Sequence, residues 1–438
     1  MTQAEQSLRK IGIAIPDILI PAEHVDMEKW AVVACDQYTS ERDYWDKVDE
    51  FVGTEPSTLR MIFPEVFLEE PHSEKRVASI NSYMRDYVRQ GVFHEYMRNF
   101  FLVHRQSGKQ HGRWGLMVAL DLEYYDYSKD SRTPIRATEG TIVSRIPPRK
   151  LIRKDAPLEL PHILVLINDL QRSVIEPLTS RCSSLEKVYD TKLMMGGGSV
   201  TAYRVDKESD LEAVAAAFEN LQKALDPNNP LLFAVGDGNH SLATAKSCWE
   251  DVKKDLSESQ REHHPARFAM VELENIYDPG LMFEPIHRVL FNIKPERFFS
   301  ILHHHCSGWT AESMSCVDML VKEIHRNDSL QRFGYACGSQ LVVMTLQHPC
   351  ASLAAGTLQA VIDEALNDTQ IHVDYIHGEA VTKALGSKPG NIGLFLPAIA
   401  KETFFSSIVQ DGALPRKTFS MGEAHEKRFY LEARRITL

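Results

Sequence analysis

The segment Leu231–Lys246, LLFAVGDGNHSLATAK, constrains the fold more than any other stretch of the chain. Its apolar start, Leu231 to Val235, stops at Gly236-Asp237-Gly238-Asn239-His240, and a helix-compatible run follows at once. A short apolar run bounded by glycine reads as a buried strand, so the segment predicts strand, tight turn and helix N-terminus. Such a junction aims backbone N–H groups and a positive dipole end at one point. The two glycines let a ligand come close to the backbone. Asp237, Asn239 and His240 add three polar side chains there. The occupant this favours is an anion such as a phosphate, alone or with its metal. A plain strand-to-helix connection, with Asp237 or Asn239 as N-cap, is the other reading of the same residues. The segment matches neither the phosphate loop with its trailing Lys-Ser/Thr nor the dinucleotide G-x-G-x-x-G.

At 438 residues the chain has room for two or three domains. Its formal charge of −11 argues against nonspecific nucleic-acid binding, which needs the opposite sign. A local basic cluster can still hold a small anion. No apolar run approaches 18 residues, so no membrane span is expected. The N-terminal apolar stretch is short and holds Pro16 and Asp17, unlike a signal peptide, and a cytoplasmic location is expected. Seven cysteines, Cys35, Cys182, Cys248, Cys306, Cys316, Cys337 and Cys350, are widely spaced with no C-x-x-C. The odd count and this spacing argue against both a disulfide framework and a zinc ribbon and fit a reducing compartment. None has a sequence neighbour that marks a nucleophile, and Asp36 beside Cys35 would raise that thiol's pKa.

Strand and helix patterns alternate along the chain. Phe100–Arg105, Trp114–Leu122, His162–Ile167, Phe268–Leu273, Gln340–Leu346 and Asn391–Ala398 read as strands. Glu41–Phe51, Asn81–Gln90, Arg297–His305 and Leu358–Asn367 read as helices, the first capped by Thr39 or Ser40. Gly108–Gly112 reads as a hairpin loop. Ile135–Ile146 reads as strands around a turn, stopped by Pro147-Pro148. Lys187–Met195 and Ser199–Val205 flank Gly196-Gly197-Gly198, which reads as a hairpin turn before a phosphate cradle, because the glycines join two strands. Ser209-x-x-Glu212 reads as a capping box for a helix with Leu211, Val214, Phe218, Leu221 and Leu225 on one face. The triplet His303-His304-His305 cannot converge on one ion from consecutive helical positions. The closing segment, LPRKTFSMGEAHEKRFYLEARRI, is basic for so acidic a chain. The expected class is α/β or α+β, with mixed sheets and flanking helices. Three parts are expected: 1–130, 131–290 carrying the junction, and 291–438.

Gly236-Asp237-Gly238-Asn239-His240-Ser241 resembles the Asp-Gly-His-His-Arg segment of the domain-of-unknown-function 1015 family. Arg136–Thr141, Met194–Gly198 and Ile286-His287-Arg288 resemble further blocks of that family in the same order, and Ala34–Tyr38 and Lys417–Phe419 fit a branch of it. The resemblance implies a core similar to the ParB/sulfiredoxin superfamily, with additional α/β parts. In that superfamily the equivalent segment holds nucleotide phosphates, and kinases of free serine pair it with a glutamate base. Asn239 stands where the first His is expected and Ser241 where the Arg is expected. Loss of the Arg removes a bidentate phosphate donor. Arg136, Arg145 and Arg288 are the candidates to replace it.

Phosphoryl transfer needs neutralised phosphate oxygens, an in-line hydroxyl and a base. The resemblance implies ATP or ADP as donor, with Gly236, Gly238, Asn239, Ser241, Arg136 and Arg145 as the residues expected to hold it. Asp237 is the expected magnesium ligand, His240 a donor or proton shuttle, and Glu139 the base. Asp36, His287 and Arg288 are the expected substrate contacts. The implied substrate is a small hydroxyl metabolite, free serine by resemblance, with no nucleic acid and no membrane as partner. A homo-oligomer is left open. A phosphate-ester or nucleotide hydrolase at the same site, and a nucleotide- or metabolite-sensing protein without chemistry, are the rival readings.

Overall fold

The computed structural model describes residues 1–68, 70, 73–108, 112–326, 328 and 330–438. The chain forms two units. Met1–Met282 and Gly422–Leu438 make the first, and Phe283–Met421 make the second. The position 130/131, expected as a boundary, lies inside the first unit between two strands that pair with each other.

The first unit is built on a ten-stranded mixed sheet. In chain order its strands are β1 (Ile13–Ala14), β2 (Phe100–Gln106), β3 (Arg113–Asp121), β4 (Tyr125–Asp126) and β5 (Ile135–Ala137). Then come β6 (Leu164–Ile167), β7 (Glu186–Leu193), β8 (Gly198–Val205), β9 (Phe233–Asp237) and β10 (Phe268–Asn275). Their spatial order is β7-β8-β2-β3-β10-β6-β9-β5-β4, with β1 on β3. Both faces are covered, which is why the central strands read as apolar runs without alternation. Leu102, Val118, Val165 and Val235 meet Phe218 and Trp249 on one face. Phe101, Val103, Met117 and Met270 meet Val32, Trp45 and Phe429 on the other. The family-like glycines 196–198 do close a hairpin, β7 onto β8, with Leu193 opposite Gly198. The turn enters β8 at φ 84° in Gly198, where a Cβ would lie 2.1 Å from the Gln106 carbonyl oxygen, so only glycine fits. Residues 109–111 of the expected Gly108–Gly112 loop lie outside the described residues.

Several local signals resolve differently from the reading above. Pro147 and Pro148 do not stop a strand. They sit in the first turn of α1 (Ile146–Arg153), where a missing N–H costs nothing. The helix α2 (Glu208–Lys223) starts at Lys207 without a side-chain cap, so Ser209 lies inside it and forms no capping box. The Arg42–Val52 helix likewise starts without a cap from Thr39 or Ser40. In both, burial of one apolar face holds the helix, and the cap is dispensable.

The second unit has a six-stranded sheet. Its strands are β11 (His287–Phe291), β12 (Gly308–Ser313), β13 (Arg332–Cys337), β14 (Gln340–Gln347), β15 (His372–Ile376) and β16 (Asn391–Phe395), in the order β12-β14-β13-β16-β11-β15. The Pro295–His305 and Ala354–Ala365 helices pack on it through Phe298, Ile301, Leu302, Leu358, Val361 and Ile362. Among the described residues, no helix is long and apolar enough to cross a membrane.

Candidate active site

The predicted junction forms β9, a turn at Gly238, and α3 (Asn239–Val252). Gly238 is in the left-handed region at φ 80°, and a Cβ there would lie 3.0–3.1 Å from Ile163. Neither Asp237 nor Asn239 caps the helix: the N-cap is Gly238, with no side-chain bond. The first intrahelical bond runs from Leu242 N–H to Gly238 O, so the N–H groups of residues 239–241 precede the α-helical ladder.

Register brings the distant Glu139 here. β5 and β9 are parallel, with Ala137 opposite Val235, so Thr138 and Glu139 leave their strand beside Gly236 and Asp237. The following loop is tied to the turn. Thr138 N–H donates to Asn239 Oδ1 (3.2 Å), Thr138 Oγ1 donates to the Val235 carbonyl (2.5 Å), and Ile142 N–H donates to His240 Nε2 (3.2 Å). An accepting Nε2 leaves the ring proton of a neutral His240 on Nδ1.

The closing segment supplies a cation that the sequence reading missed. Lys427, 12% exposed at its side chain, places Nζ 3.1 Å from Asp237 Oδ2. Asp237 Oδ1 accepts the Gly238 N–H at 2.8 Å. Burial pushes the Asp237 carboxyl up, but Lys427 and that N–H outweigh it and hold the group below the usual carboxylate range. The Phe429–Tyr430 strand, paired with Val32–Val33, fixes the segment. Tyr430 Oη lies 3.0 Å from His162 Nδ1 and donates to Cys35 Sγ at 3.1 Å. His162 Nε2 in turn lies 3.9 Å from Asp36 Oδ2, which puts the expected substrate contact Asp36 in this unit's cluster. Burial first, and Asp36 after it, push the Cys35 thiol up to about 12, so it is no nucleophile.

The remaining expected contacts are Arg136, Arg145, His287 and Arg288. Arg136 is buried and spends its guanidinium on the carbonyls of Thr133 and Pro230 and on Asn229 Oδ1, residues that precede β5 and β9. That is the end of the strands opposite Asp237, so Arg136 clamps two strand starts. Arg145 ends a short 3-10 turn after the Glu139 loop and is exposed. His287 and Arg288 are buried in β11 of the second unit. His287 Nδ1 accepts the Leu396 N–H, and burial pushes its pKa down to about 4. Arg288 lies over the Tyr375 ring at 5.1 Å. Lys427 and Tyr430 had one signal, the basic composition of the closing segment, and His162 had only its place at the start of an apolar strand; their placement depends on pairing across about two hundred residues or more.

Fold and site together describe a mixed α/β protein whose larger sheet carries a strand–turn–helix junction. The family model described as "Protein of unknown function (DUF1015)" matches residues 19–365, and the chain belongs to that family. No curated protein matches the sequence. Among solved structures, a conserved hypothetical protein from Pyrococcus furiosus is similar at 10% identity and TM-score 0.36, covering 72% of this chain and 93% of that one. A mutant free serine kinase in complex with AMP is similar at 8% identity and TM-score 0.40, covering 76% and 95%. The same kinase mutant with ADP gives 9% identity, TM-score 0.39, and 74% and 92% coverage.

Proposed function

We propose that the β9–α3 junction binds the phosphates of ATP or ADP and transfers a phosphoryl group to a small hydroxyl metabolite, with free serine as the acceptor the family resemblance favours. The observation that supports this reading is the parallel β5–β9 register, with Ala137 opposite Val235, together with the bonds from Thr138 and Ile142, on either side of Glu139, to Asn239 and His240. In this reading the N–H groups at the start of α3 and the Lys427 ammonium neutralise phosphate oxygens. Lys427 does the work of the arginine that Ser241 lacks. Asp237 orients Lys427, His240 donates from Nδ1, and Glu139 takes the acceptor's hydroxyl proton.

The residues present do not fit a magnesium ion held by Asp237. Both carboxylate oxygens are engaged, one by an ammonium. No step is assigned to a protein-held metal.

A thermal-shift series with ATP, ADP, AMP and pyrophosphate, each with and without magnesium, tests the proposal. A ligand at about 100 times its Kd adds about 2.7 kcal/mol to stability. A nucleotide shift that vanishes in Lys427→Met, together with phosphoserine formed from ATP or ADP and serine, is the expected result. Absence of any nucleotide shift in the wild type would sink it. Shift without transfer to any acceptor would favour the sensing role, to which the Asn239–Thr138 and Asp237–Lys427 contacts lend some weight.

A further inference from the structure

The second unit holds a cluster of nucleophilic and titratable groups that phosphoryl transfer does not use. The helix Pro295–His305 ends in His303-His304-His305. His304 Nδ1 lies 2.8 Å from Glu364 Oε1, and His305 Nε2 lies 3.0 Å from Glu364 Oε2. The hydrogen bond from His304, and after it that from His305, hold the Glu364 carboxyl below the usual carboxylate range. An ionised carboxylate only accepts, so neutral His305 must carry its proton on Nε2. Its Nδ1 is then a lone pair, and Cys350 Sγ lies 3.9 Å from it. The Cys350 N–H donates to the His305 carbonyl at 3.0 Å, which pins the thiol against the end of the helix. The turn before it passes through His348 at φ 48°, a conformation costly for that side chain. Cys350 is exposed, whereas its neighbour Cys306 is buried and donates its S–H to the Leu302 carbonyl.

We propose that Cys350 is a reactive thiol, activated through His305 and Glu364, and that hydroperoxides oxidise it. The groups have the roles of nucleophile, base and orienting carboxylate. His305 Nδ1 takes the Sγ proton. A sulfur electron pair forms an S–O bond to one peroxide oxygen as the O–O bond breaks. The other oxygen leaves with that bond's electron pair and recovers the proton from the imidazole, as water or an alcohol. Sulfur is oxidised by two electrons to a sulfenic acid, and the peroxide is reduced by two.

The test uses the full chain, dilute hydrogen peroxide, and trapping of the sulfenic acid with dimedone, followed per cysteine by peptide mass spectrometry. Cys316, exposed at the N-cap of the Val317–Ile324 helix, is the internal reference. The Cys350 to Cys316 rate ratio is expected to fall at least tenfold in His305→Gln and by less in Glu364→Gln. Cys306 should stay unlabelled throughout, which reports that the local fold is intact. An unchanged ratio in His305→Gln overturns the proposal. Should that variant expose Cys306, the wild-type rates decide: Cys350 should be labelled at least tenfold faster than the likewise exposed Cys316, and equal rates overturn the assignment.

Discussion

Burying a carboxylate is among the most costly single choices a residue position can make. β10 makes it twice, with Glu272 and Glu274 at 1% and 0% exposure on the same face of one strand. Glu272 meets Arg428, and Glu274 Oε1 lies 2.6 Å from Arg113 Nε. Burial pushes the Glu274 carboxyl up to about 7; Arg113 opposes this, and Glu272 and Asp278 add to it. A folded pKa raised above the unfolded one gives stability that is complete below the unfolded value and lost as pH rises through 7. In Glu274→Gln, which mimics the protonated form, the wild type's loss of stability between pH 5 and pH 8, about 1–3 kcal/mol, should be absent. Urea denaturation of both proteins at the two pH values measures this, and equal pH dependence would contradict it. The sequence shows both glutamates inside an apolar strand but not their partners, since Arg428 lies 156 positions on. The same limit explains the site. Asp237, His240 and Glu139 stand in short motifs with local chemistry, whereas Lys427 is defined only by where the folded chain returns.

Elements were legible where burial dictated them and obscure where caps or prolines did. The β9–turn–α3 element is specified by an apolar run and one glycine, and the fold uses both as read. The cap signals at Thr39, Ser40 and Ser209 are real sequence patterns, yet these helices begin one or two residues away from them. Apolar packing selects the helix start, and a cap worth about 1 kcal/mol is too weak to move it. Pro147-Pro148 suits a helix start as well as a strand stop, so only the packing of α1 against α3 distinguishes them. Because Gly238 combines a left-handed backbone with close approach to Ile163, Gly238→Ala should cost roughly 1–3 kcal/mol. Gly140, in the nearby Glu139 loop, has open space where a Cβ would go. Gly140→Ala should stay within about 0.5 kcal/mol of wild type. Equal losses in the two variants, by chemical denaturation, would show that the turn is not the constrained point.

At the scale of the whole molecule, the chain leaves the first unit at Met282 and re-enters it at Gly422. The returning segment is held by charge as well as by apolar contact. Arg105 and Arg113 donate to the carbonyls of His425 and Glu426, Arg428 bridges Glu272 and Glu432, and Arg434 Nε lies 2.7 Å from Glu159 Oε1. Tyr189 donates its hydroxyl to Glu432 as well. Removing one member of such a buried network leaves its counter-charges uncompensated, at about 3–5 kcal/mol. Arg428→Met should lose that much, with Glu272 and Glu432 both stranded. Its neighbour Lys427→Met should lose far less, because Asp237 is 28% exposed at its side chain and water can replace the ammonium. If the proposed site is right, the two variants separate along different axes: Arg428→Met mainly lowers the denaturation midpoint, and Lys427→Met mainly abolishes the nucleotide-induced shift. Equal denaturation midpoints would refute the buried network as the anchor of the segment. A Lys427→Met protein that still binds nucleotide at wild-type affinity would remove the returning segment from the site and leave it a purely structural clasp.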